Sequence, residues 1–107
     1  MQDVITVEID SELQSIVPEF LENRKADCRL IDSLLNNDSF SEIRTLGHRM
    51  KGAGGSYGFD EISVIGEIIE EASLAGDKET IAGAVMRLSD YLERISVVYI
   101  NTDYFNP

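Results

Sequence analysis

The chain has 107 residues, 43% of them hydrophobic, which suits one domain built around one core. Its formal net charge is −11, an excess that repels phosphate backbones and anionic lipid, so nucleic-acid binding and membrane association are disfavoured as main functions. Cys28 is the only cysteine, so no internal disulfide can form, and a reducing, cytoplasmic setting is expected.

The opening MQDVITVEID lacks the basic-then-apolar pattern of a signal peptide, and no apolar run approaches transmembrane length. From there the periodicity reads as helical almost throughout. SELQ, from Ser11 to Gln14, fits a capping box and predicts a short first helix to about Ile16. Pro18, tolerated in a first turn, opens a second helix. Its apolar stripe is Val17, Phe20, Leu21, Cys28, Ile31 and Leu35, and NNDS ends it. Cys28 sits in that stripe and reads as a small core residue, not a reactive thiol.

SFSE, from Ser39 to Glu42, is a second capping box and starts a helix from about Phe40 to Gly54 or slightly beyond. Gly58 is the expected turn into a fourth helix, from about Phe59 to Ala75. That helix directs Ile62, Ile65, Ile69 and Ala72 inward, and Glu61, Glu67, Glu70 and Glu71 outward. Gly76 suits a C-terminal cap and Asp77 an N-cap. A fifth helix carries Ile81, Val85, Leu88, Leu92, Ile95 and Tyr99 at spacings of three and four. The tail NTDYFNP has no clear period. These elements predict an all-α fold: an up-and-down antiparallel four-helix bundle with a short extra N-terminal helix. The chain is expected to be one domain, with its core at about residues 9–99 and a tail at 100–107. The glutamate-rich faces read as solvated helix surface. No metal site is expected, because a di-metal bundle wants Glu-x-x-His pairs and the only histidine has Thr45 three residues before it.

The stretch GHRMKGAGGSYGF, residues 47–59, holds five glycines and that histidine. It is not a dinucleotide fingerprint: counted from Gly52, the sixth position is Tyr57, and no strand is expected before it. It is not a P-loop either, since Ala53 and Gly54 follow GHRMKG where Lys and Ser or Thr should stand. On a wheel of about 100° per residue, Ile43, Leu46, Met50 and Ala53 cluster with Gly47 and Gly54 on the core side. His48 falls roughly 170° away, on the exposed face. Arg44, Lys51, Gly52 and Gly55 share that face with it. Helix-interior glycine costs about 1 kcal/mol relative to alanine. Two on one exposed face therefore suggest that something must come close; the alternative is that the run simply loosens a helix end. Neutral imidazole is a nucleophile near neutral pH, and cations beside it would offset phosphoryl oxygens. The chemistry that fits is phosphoryl transfer through His48, with Lys51 and, more weakly, Arg44 as stabilisers. Nothing in the sequence binds ATP and no cofactor is called for, so the phosphoryl group must arrive from elsewhere.

At this point HRMKGAGGSYG resembles the histidine phosphotransfer (HPt) signature, with His48, Lys51, Gly52 and Gly58 at its fixed positions and small residues between. IDSELQSIVPEFLENRKAD is similar to the family's first two helices, and ISVIGEIIEEASLAGD to the helix after the signature. The resemblance implies a four-helix bundle with an exposed phosphorylatable histidine, acting in a multistep two-component phosphorelay. It implies exchange of phosphate with the aspartates of response-regulator receiver domains, with a hybrid sensor kinase as a further partner. His48 would be phosphorylated, Lys51 would stabilise the phosphoryl group, and the module would be a carrier without autokinase activity. A monomer is expected. The rival reading is an acidic helical interaction module without phosphotransfer. The dimerising core of a histidine kinase fits less well, because no ATP-binding segment is seen.

Overall fold

A computed structural model describes residues 3–101. The order is β1 (Ile5–Asp10), a 3-10 turn (Ser11–Leu13), α1 (Val17–Asn36), α2 (Phe40–Tyr57), α3 (Asp60–Leu74), α4 (Lys78–Arg94) and β2 (Ile95–Ile100). The four long helices are those expected, and they form the bundle. None is long and apolar enough to cross a membrane. The core holds Val17, Ile31, Ile43, Met50, Phe59, Ile62, Ile65, Ile69, Ile81 and Leu88, all nearly or fully buried. At one end Phe20 stacks on Phe59, ring centroids 5.5 Å apart, and meets Tyr57 edge-on at 4.6 Å. Cys28 is buried in α1, as expected.

Local signals placed several boundaries correctly. Gly58 ends α2 in the left-handed region at φ 88°, and Gly76 takes φ 64° after α3. Asp77 caps α4, its carboxylate accepting from the Thr80 amide at 3.1 Å. Ser39 occupies the N-cap position of α2, but its side chain makes no capping bond. Asp10, not Ser11, caps the 3-10 turn by accepting from the Glu12 amide at 2.9 Å.

Two expectations at the ends are corrected. The short helix from Ser11 to Ile16 shrinks to the 3-10 turn Ser11–Leu13. The last helix stops at Arg94, and Ile95–Ile100 is a strand, so the fold is not purely α. β1 and β2 pair in parallel, with Ile5 opposite Ile95 and Ile9 opposite Tyr99. Parallel strands need a long crossover, and here the whole bundle supplies it. Alternation explains both strands: Ile5, Val7 and Ile9 and then Ile95, Val97 and Tyr99 pack against the core, while Thr6, Glu8, Ser96 and Val98 face out. Ile95 and Tyr99, four apart, satisfy a helical stripe and a period of two alike, which is why they read as helix. Of the tail NTDYFNP, only Asn101 lies among the described residues.

Candidate functional site

α2 runs unbroken from Phe40 to Tyr57, so Gly47, Gly52, Gly54 and Gly55 all lie within the helix. They divide into two groups by what surrounds them. A methyl group on Gly47 would lie 2.7 Å from the Glu70 backbone nitrogen and 2.9 Å from the Gly66 carbonyl oxygen. On Gly54 it would lie 2.6 Å from the Ser63 backbone nitrogen, and on Gly66 2.5 Å from that of Lys51. Gly47, Gly54 and Gly66 are thus where the backbones of α2 and α3 touch. The Ser63 hydroxyl adds a tie by donating to the Lys51 carbonyl at 2.8 Å. Gly52 is different: a methyl there meets nothing within 4 Å. At Gly55 its nearest neighbour is the Ser63 Oγ at 3.8 Å, an ordinary contact. These two glycines bare the outer surface beside the histidine.

His48 stands on that surface with 73% of its side chain exposed. The close approach of α2 and α3 brings Glu70 to it, Nδ1 to Oε2 at 2.8 Å. A carboxylate only accepts, so the proton of a neutral ring sits on Nδ1 and donates to Glu70. The in-plane lone pair is left on Nε2. One turn further along α2, Lys51 Nζ lies 3.5 Å from Glu67 Oε1, one turn back along antiparallel α3. The two helices therefore present a two-rung ladder, His48–Glu70 and Lys51–Glu67. Arg44 is exposed one turn before His48 and forms no ion pair among the described residues.

Glu70 is the residue the sequence reading misplaced. Taken as outward and solvated, its side chain is only 18% exposed and turned toward α2. Nor are its neighbours bare surface: Glu67 meets Lys51, and Glu61 accepts two bonds from Arg87 at 2.7 and 2.8 Å. Gly66 also escaped notice. The signal available was a glycine amid the apolar positions of α3, spaced to face the glycines of α2.

The arrangement defines a class: a helical bundle that offers one imidazole nitrogen, oriented by a carboxylate, on a face left bare at two glycines beside it. The Hpt domain family model matches residues 15–97, which takes in all four helices, and the chain belongs to that family. Hpt domains carry phosphoryl groups on histidine in two-component phosphorelays, as carriers that interact with receiver domains and kinases. Comparison with curated proteins and with solved structures returned no significant match.

Proposed function

We propose that His48 is the residue that accepts and donates the phosphoryl group, exchanging it with the phosphorylated aspartate of a receiver domain. The observation that carries this is the His48–Glu70 hydrogen bond at 2.8 Å on an otherwise exposed ring. Nε2 attacks phosphorus, an N–P bond forms, and the bond to the aspartyl oxygen breaks with its electron pair left on that carboxylate. The ring keeps its Nδ1 proton and gains positive charge, which Glu70 offsets at hydrogen-bond distance. In the return direction the same electrons come back to the ring. The bare surface at Gly52 and Gly55 gives a receiver's active site room to reach Nε2. Cations nearby, Lys51 first and Arg44 second, would meet the phosphoryl oxygens as charge redistributes. Every group named lies in one chain, so a monomer suffices.

The test is transfer from a panel of phosphorylated receiver domains. Wild type should take up acid-labile phosphate, and His48→Gln should take up none while keeping its helical circular dichroism. Glu70→Ala should still be labelled, but about tenfold or more slowly, as for loss of one stabilising contact. Acid-labile label on His48→Gln would refute the assignment.

A further inference from the structure

Lys51 is engaged before any phosphoryl group arrives. Its ammonium lies 3.5 Å from the Glu67 carboxylate, and both side chains are about half exposed, at 43% and 50%. The partnership is set by the helix register, since the close approach of Gly66 to the Lys51 backbone holds α2 and α3 at that level. The two carboxylates of the ladder face different groups. Glu70 meets a ring that becomes more positive on phosphorylation. Glu67 meets a cation that a phosphoryl group on Nε2 would otherwise recruit.

We infer that Glu67 is a counter-ion that holds Lys51 back from the phosphoryl group and so keeps phosphorylated His48 a ready donor. The inference rests on His48 being the phosphorylated residue. When the N–P bond forms, Lys51 reaches the phosphoryl oxygens only by leaving Glu67 or by being shared with it. It exchanges one anion for another, and its gain is smaller than that of an unpaired lysine. That smaller gain raises the transfer potential of the phosphorylated form. An ion pair this exposed moves an equilibrium by no more than about fivefold. That range suits a carrier, which must release what it takes. Glu67 is thus a positioning residue that acts through Lys51.

The experiment uses phosphoramidate, a small donor that needs no receiver. Nε2 attacks its phosphorus, its P–N bond breaks, and ammonia leaves. At a fixed ratio of phosphoramidate to ammonia, intact-mass spectrometry reads the ratio of phosphorylated to free protein. Glu67→Gln should raise that ratio about threefold, the mid-range for an exposed ion pair. In a Lys51→Ala background the same substitution should raise it far less, because the competition is gone. No rise in the single variant would overturn the inference, and so would an equal rise with and without Lys51. If wild type itself takes no label at His48, the underlying assignment fails. A labelled wild type with an unresponsive Glu67 sinks the counter-ion role alone.

Discussion

Two glycines two residues apart on α2 should respond to alanine with opposite signs. At Gly52 a methyl group meets nothing within 4 Å, so only the helix propensity changes. Gly52→Ala should stabilise the protein by about 1 kcal/mol. At Gly54 the methyl would lie 2.6 Å from the Ser63 nitrogen, 3.0 Å from the Phe59 oxygen and 3.1 Å from the Ile62 carbonyl carbon. All three are backbone atoms and cannot swing aside. α2 and the start of α3 must move apart, at an overpacking cost of about 1–3 kcal/mol. With three backbone contacts the upper part of that range applies, and after the propensity gain the net loss should be about 2 kcal/mol. The gap between the variants is then about 3 kcal/mol, well beyond the error of a urea titration. The assay is the urea midpoint of each variant with its m-value. If Gly54→Ala proves as stable as Gly52→Ala at unchanged m, the close backbone approach of α2 and α3 is refuted.

Other consequences can be checked on the same preparations. Gly52→Leu should keep or raise the melting temperature yet slow phosphate transfer from a receiver, because the leucine stands one turn from His48 where the receiver must approach; a normal rate would defeat the access argument. The bonds that Asp77 accepts from Thr80, hydroxyl first and amide second, hold its carboxyl below the ordinary value. A depressed folded pKa supplies stability above the unfolded value and loses it as pH falls through the folded one. Asp77→Ala should therefore melt below wild type at neutral pH, with the gap narrowing in acid. Burial, helped by the charges of Asp27 and Asp32, pushes the Cys28 thiol up to about 11. Alkylation at pH 8 should be slow in the folded protein and fast in urea; equal rates would place Cys28 outside the core.

Some of this protein was legible in its sequence because the cause is local. A stripe at helical spacing specified which faces of α1, α2, α3 and α4 turn inward. The wheel angle between His48 and the centre of the apolar side of α2 was enough to put the histidine outside. Gly58, Gly76 and Asp77 carry their turn and cap chemistry in their own backbones and side chains. Other features depend on what lies across the fold. Ile95 to Ile100 could continue a helix or alternate in a strand, and the choice fell to β1, which pairs Ile5 with Ile95 from the far end of the chain. Glu70 looked like one more solvated glutamate because nothing in α3 itself says how near α2 will come. That distance is set where Gly47, Gly54 and Gly66 let two backbones touch. Once they do, the antiparallel register assigns Glu70 to His48 and Glu67 to Lys51, a pairing that requires two helices and so is written in neither alone.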